Sequence, residues 1–140
     1  MGKGMKIRKC TLNDIKQLAL LNKQLIEDEK SNNPMSITEL EERMAGFLNT
    51  DYNAYFFVKS DDIVGYALVK DTCTPKYLRQ FLIDSKYREQ HYGTEAFNAL
   101  LEYLGVKSMD IEVLSWNEIG KRFWESCGFR EISRYMRVER

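Results

Sequence analysis

The sequence predicts one α/β domain (α+β in some schemes), with a mixed central sheet of about six to seven strands flanked by about four helices. Three observations carry this. The chain has 140 residues, enough for one domain with its own core and hardly enough for two. Stretches of strand character and stretches of helical period alternate along the chain, an order that demands helices layered on a sheet. With 8 Gly and 2 Pro there is no linker, and no repeat or low-complexity tract appears. Residues 1–5 read as an N-terminal extension and 6–138 as the domain.

Lys6 to Cys10 is a short strand candidate. Thr11 can cap a helix, with Asp14 acidic in its first turn. Leu12, Ile15, Leu18, Ala19, Leu25 and Ile26 recur at helical spacing, which predicts a helix from about Leu12 to Asp28. The polar stretch from Glu29 to Pro34 breaks it. Ser36 and Glu39 form a capping box for a helix from Ile37 to about Leu48. Ala54–Lys59 and Ile63–Lys70, joined by Ser60-Asp61-Asp62, predict a hairpin in which Phe56 and Phe57 face opposite sides. Tyr77 to Asp84 is a mostly apolar strand. Phe97, Leu100, Leu101 and Leu104 mark an amphipathic helix that starts near His91 to Gly93. Asp110 to Leu114 is a strand. Ile119, Phe123 and Cys127 share one face of a short helix ended by Gly128. Glu131 to Val138 is the expected last strand.

Charge and cysteine content narrow the function. With 21 Lys+Arg against 21 Asp+Glu, the formal net charge is zero, which argues against a protein that neutralises many phosphates of a nucleic acid. Three scattered cysteines (Cys10, Cys73, Cys127) and the single His91 make neither a zinc-type cluster nor a disulfide framework. No metal is expected, and a reducing cytoplasm fits the cysteines. No apolar run approaches a membrane span, and the N-terminus has neither the apolar stretch of a signal peptide nor a myristoylation pattern.

Two windows can carry chemistry. Phe81 to Phe97 reads strand, polar loop, helix. A helix N-terminus leaves several backbone N–H groups unpaired and holds partial positive charge, so an anion can sit there. Gly93 permits close approach to the backbone, and Arg88 adds a full charge. An ordinary crossover with a solvated Arg and a packing Gly fits the spacing equally well. Neither GxGxxG nor GxxxxGK[ST] is present, so Rossmann and P-loop sites are excluded. The second window, Ile111 to Phe129, places Asn117 between a strand and a helix, where it can cap the helix or face a ligand. Phe123 and Trp124 follow as flat apolar surface.

Together the windows resemble the GNAT superfamily of N-acetyltransferases. The family's signature Q/R-x-x-G-x-G/A reads Arg88-Glu89-Gln90-His91-Tyr92-Gly93 here. Its second motif, an Asn before a helix ending in aromatic-E-x-x-G-F, reads Asn117 through Phe129. The opening IRKCTLND is similar to the family's first strand and helix. The resemblance covers about residues 6–138. EDEKSNNPM and YLRQF further resemble a group of small bacterial members.

The resemblance implies a GNAT fold and acetyl-CoA as donor, with an acetyl group moved to a primary amine by direct attack. It implies that Phe81, Leu82 and Ile83 pair with the pantetheine arm, and that Arg88, Glu89, Gln90, His91, Tyr92, Gly93 and Thr94 hold the pyrophosphate. Asn117, Phe123 and Trp124 would then lie along the cofactor. Glu29, Asn33, Arg79 and Gln80 are the acceptor-facing candidates. The acceptor is a small-molecule or peptide amine, with no nucleic acid or membrane partner, and a homodimer is compatible with the family.

Two departures stand out. His91 replaces the signature's first glycine. Trp124 stands where many members carry a Tyr that protonates the departing thiolate, and indole is no such acid. The strand Tyr77 to Ile83 also lacks a carboxylate. A lysine-like amine of pKa about 10.4 costs roughly 4–5 kcal/mol to deprotonate at pH 7, so a base helps. Glu29 is the candidate base, and Tyr135 is a candidate acid beside Tyr92 and Cys127. An acyl-CoA-binding regulatory module without turnover is the alternative reading.

Overall fold

In a computed structural model the chain is described over residues 4–140. Most of the expected extension 1–5 therefore lies outside the described residues. At its end, the Met5 N–H donates to Glu95 Oε2 at 3.0 Å, which ties the entry of the first strand to a helix ninety residues on.

Five strands form one sheet in the order β1 (Lys6–Lys9), β2 (Tyr52–Lys59), β3 (Asp62–Lys70), β4 (Lys76–Ile83), β5 (Met109–Ile111). The first three pairings are antiparallel and β4–β5 is parallel. Four α-helices accompany them: α1 (Ile15–Asp28), α2 (Ile37–Leu48), α3 (Tyr92–Leu104) and α4 (Glu118–Ser126). Short 3-10 turns occupy Leu12–Asp14 and Ser85–Gln90.

Local signals set the helix starts. Thr11 accepts from the Asn13 N–H while Asp14 accepts from the Thr11 N–H. That box closes the 3-10 turn, so regular helix begins at Ile15 rather than Leu12. Ser36 and Glu39 make the expected reciprocal box at α2. Gly128 follows α4 with φ 101°, the left-handed exit a glycine provides.

The sheet divides two cores. On one face, Leu18, Leu21 and Leu25 of α1 and Met44 of α2 meet Phe56, Tyr66, Leu68 and Leu82. On the other, Ala96, Phe97 and Leu100 of α3 meet Phe57, Val64, Ala67, Val69, Leu78 and Ile83. Phe56 and Phe57 thus serve opposite faces, both fully buried, as alternation requires. Gly65 lets β3 and β4 approach. A Cβ there would strike the Leu82 carbonyl, with the carbonyl carbon at 3.0 Å.

The register carries one irregularity that matters for the site. Leu68 pairs with Gln80 and Val69 with Leu78, so Arg79 is an extra residue in β4. After this bulge, Gln80 and Leu82 point toward α1, whereas Leu78 and Phe81 point toward α3.

The expectation of six to seven strands is corrected to five. Glu131 to Val138 forms no strand. The whole stretch is exposed, and its side-chain ion pairs and hydrogen bonds are local, Arg134 to Glu131 and Arg137 to Tyr135 and Glu139. β5 spans only three residues, and among the described residues no backbone hydrogen bond joins the tail to it. Ile119 at the start of α4 is 82% exposed, while Phe123 and the capping Cys127 are half-buried.

Candidate active site

The strand–loop–helix unit is built as follows. β4 and β5 pair only from Lys76–Met109 to Leu78–Ile111. Beyond the bulge the two strands part, and the edge of β4 from Gln80 to Ile83 is left without a strand partner on that side. A chain of extended backbone atoms can pair with such an edge.

At the end of β4 the Asp84 side chain accepts from the Lys86 N–H and starts the 3-10 turn. Gln24 of α1 staples this loop, its Oε1 accepting from the Ser85 N–H at 2.8 Å and from Arg88 at 3.0 Å. Arg88 also donates through Nε to the Ile83 carbonyl at 2.9 Å and pairs with Asp28. Its charge is thus half-exposed but already partnered, and it braces the loop against α1. Glu89 and Gln90 are exposed.

His91 sits at φ 58°, ψ 36° and precedes α3 without capping it through its side chain. This is the left-handed conformation that glycine adopts most readily, which gives a backbone reason for the glycine in the family signature. Tyr92 is packed beside Tyr87 with Lys59 over its ring. The first turn of α3 therefore offers its backbone N–H groups with no side-chain cap. Glu95 in that turn is held by Lys59 at 2.7 Å, which keeps its carboxyl below the usual range. Thr94 faces solvent.

The space at Gly93 is taken by Phe123. A Cβ on Gly93 would lie 3.0 Å from the ring's Cε1, so this glycine has a packing role between α3 and α4. Phe123 stacks on Phe81 at 6.0 Å, and Trp124 packs edge-on against Phe81, Phe97 and Phe129. Asn117 caps α4, its Oδ1 accepting from the Gly120 N–H at 3.0 Å.

On the other side of β4 lies a cleft of about 220 Å³ between α1, α2, β4 and the end of β5. It brings together all four acceptor-facing candidates, Glu29, Asn33, Arg79 and Gln80. Glu29 follows α1, and its carbonyl accepts from Trp116 Nε1 at 3.2 Å, tying the segment after β5 to the cleft wall. Burial, and then the charge of Asp28, push the Glu29 carboxyl above its ordinary value. Asn33 Oδ1 accepts from the Met35 N–H and shapes the loop. Gln80 accepts from the Tyr66 hydroxyl at 2.7 Å.

The cleft also holds residues that the sequence reading missed: Asn22, Arg43, Tyr77 and Glu112. Tyr77 donates to Glu112 Oε1 at 2.6 Å. Asn22 is 1% exposed and its Oδ1 has no partner. A polar residue within the apolar stripe Leu18–Leu21–Leu25 is the signal that could have found it. Tyr135 lies elsewhere. It is 84% exposed on the tail, its hydroxyl accepting from Arg137, and the structure does not bring it to the cleft.

Comparison with known proteins agrees with this architecture. Residues 7–137 match the family described as an acetyltransferase (GNAT) domain. A curated relative, the ribosomal protein bS18-alanine N-acetyltransferase of Haemophilus ducreyi, is 25% identical over 99 residues. That match spans 69% of this chain and 65% of the relative's length. A predicted acetyltransferase with acetyl-CoA from Clostridium acetobutylicum shares the fold at TM-score 0.71 and 16% identity, with 96% of each chain covered. The aminoglycoside N-acetyltransferase AAC(6')-Iy in complex with CoA does so at TM-score 0.75 and 16% identity, over 100% of this chain and 97% of that one. The family match runs from β1 into the tail, through the parted strands and the uncapped helix, and the chain belongs to the acetyltransferase (GNAT) domain family.

Proposed function

We propose that this domain moves an acetyl group from acetyl-CoA to the primary amine of an acceptor bound in the cleft. The observation that carries the reading is the parting of β4 from β5 beside an uncapped α3. One opening offers backbone pairing to an extended arm and N–H groups to phosphate. The backbone of Phe81, Leu82 and Ile83 and of His91, Tyr92, Gly93 and Thr94 would hold the donor. Arg88, Glu89 and Gln90 would shape the loop, and Phe123 with Trp124 would wall it beyond Asn117.

Acetyl-CoA supplies an acetyl thioester: the bound ammonium gives one proton to a base, the neutral amine's C–N bond forms as the C–S bond breaks, and the nitrogen's second proton goes to sulfur, so CoA leaves as the thiol. Glu29 is a carboxylate in the cleft that can take the first proton. Its raised pKa brings it closer to the pH at which it works, which strengthens it as a base. The rest of the acceleration comes from positioning the amine.

The test is calorimetric titration of acetyl-CoA with a thermal melt beside it. Ligand at about 100 times Kd should add roughly 2.7 kcal/mol of stability. Absence of binding by folded protein sinks this reading. Binding without acetylation of any member of a broad amine panel supports the non-catalytic module instead.

A further inference from the structure

Two arginines line the cleft, and no carboxylate among the described residues pairs with either. Arg43 reaches in from α2 and Arg79 from the bulge of β4. Arg43 lies over the Phe47 ring at 5.3 Å, and Arg79 lies over the same ring at 5.0 Å. Arg79 also meets the Tyr52 hydroxyl at 3.4 Å, and Arg43 meets Met35 Sδ at 3.8 Å. Among the described residues neither guanidinium has a carboxylate within ion-pair distance. Arg43 is half-buried, and both desolvation and Arg79 lower its pKa. Two like charges thus meet on one ring, Arg43 half-buried and Arg79 exposed at the cleft mouth, and an anion between them would relieve the repulsion that Arg43 feels. Planar forks of this kind fit a carboxylate bidentately.

The same cleft is lined by two carboxylates, Glu29 after α1 and Glu112 after β5, and by Asn22, whose buried Oδ1 has no partner among the described residues. Glu112 already accepts from Tyr77, so Glu29 and Asn22 Oδ1 are the acceptors that an ammonium or amine N–H would satisfy. At about 220 Å³ the space is below the ~300–1,000 Å³ usual for drug-sized ligands, which favours a small acceptor.

We infer that the acceptor is a small amine bearing a carboxylate, of the free amino acid class, with its carboxylate on Arg43 and Arg79 and its amine toward Glu29. This rests on the acetyl-transfer reading and narrows it. A polycationic acceptor such as an aminoglycoside meets repulsion from Arg43 and Arg79. The step balances as before: the acceptor's ammonium gives one proton to Glu29, its nitrogen gains the acetyl carbon as the C–S bond breaks, and its second proton goes to sulfur, so CoA departs as the thiol.

The experiment uses the full chain with acetyl-CoA and follows CoA thiol release together with N-acetyl product by mass spectrometry. The panel is the set of common L-amino acids, each beside its amide and its decarboxylated amine, with kanamycin added. The expected result is turnover of one or more amino acids, with kcat/KM lower by about tenfold or more for the matched amide and amine, the scale of a lost charge-assisted contact. Arg43→Ala and Arg79→Ala should raise KM for the amino acid by about tenfold or more, keep kcat within a fewfold, and narrow the gap to the amide. Equal or better turnover of the amines lacking a carboxylate, or of kanamycin, overturns the inference while leaving acetyl transfer standing. Acetyl-CoA binding with no amino acid acetylated overturns it too. Failure to bind acetyl-CoA is the separate outcome that sinks the underlying reading. Arg43→Lys and Arg79→Lys guard against misfolding. They keep the charge and lose the fork, so an intermediate KM is expected.

Discussion

The two sides of β4 differ more than its sequence suggests. Toward α3, Leu78, Phe81 and Ile83 join a continuous apolar layer with Phe57, Phe97 and Trp124. Toward α1 and α2, Leu82 joins the other core, while Arg79 and Gln80 border a cleft lined by arginines, carboxylates and amides. One strand of eight residues therefore closes a core on one side and, on the other, meets both a core and a polar space. The bulge at Arg79 makes the division, since an extra residue reverses which side chains face which layer. The α3 side of β4 is all packing and the cleft lies on the other side alone, so substitutions should separate stability from chemistry.

The largest effect belongs to the apolar side. Phe57→Ala removes a fully buried ring packed 5.2 Å from Phe81 and should cost about 3–5 kcal/mol in urea unfolding. Gly65→Ala tests the same layer through the backbone. The new Cβ meets the Leu82 main chain, which cannot swing aside, so a loss of about 1–3 kcal/mol is expected by the same measurement.

Tyr66→Phe probes the boundary. It strips the buried donor from Gln80 and should cost about 1–3 kcal/mol, with the acceptor's KM altered and acetyl-CoA affinity kept. A change in acetyl-CoA affinity instead would erase the distinction between the sides.

Thr94→Glu sharpens the contrast in a different way. An acid in the first turn of α3 complements the helix dipole and should leave stability unchanged or raised by about 0.3–1 kcal/mol. If phosphate sits there, the same charge should raise the Kd for acetyl-CoA. Unchanged affinity would move the phosphate site off α3.

The smallest stability effect is expected at Glu29. Burial and Asp28 raise its folded pKa above the unfolded value, so between the two values the native state binds more protons. Stability then falls as pH rises through the folded pKa. Glu29→Gln should remove that fall, seen in urea midpoints across pH. The rising acid limb of kcat/KM should be lost with it if Glu29 takes the proton from the amine.

Much of the frame was legible in the sequence. The cap at Thr11, the box at Ser36 and the exit at Gly128 are local devices, readable from three or four consecutive residues. Phe56 and Phe57 were assigned to opposite faces by alternation alone. The loop before α3 was legible as a place, although its details were not. Gly93 makes room for Phe123, and Arg88 is engaged by Asp28, both partners distant in sequence. The expected strand from Glu131 to Val138 failed for the same kind of reason, since a strand needs a neighbour and period does not supply one.

The sequence by itself determined the order of elements, their caps, the apolar faces of the first three helices and the family signature around Arg88 to Gly93. Each depends on interactions within a few residues or on a repeating period. Only the tertiary structure decided that Asn22, Glu29, Arg43, Arg79 and Glu112 share one cleft. They come from α1 and the residue after it, from α2, from the middle of β4 and from the residue after β5, and the bulge that turns Arg79 and Gln80 toward the cleft arises from how β4 pairs with β3. Pairing register is a property of two strands together, and no stretch of one chain segment encodes it alone.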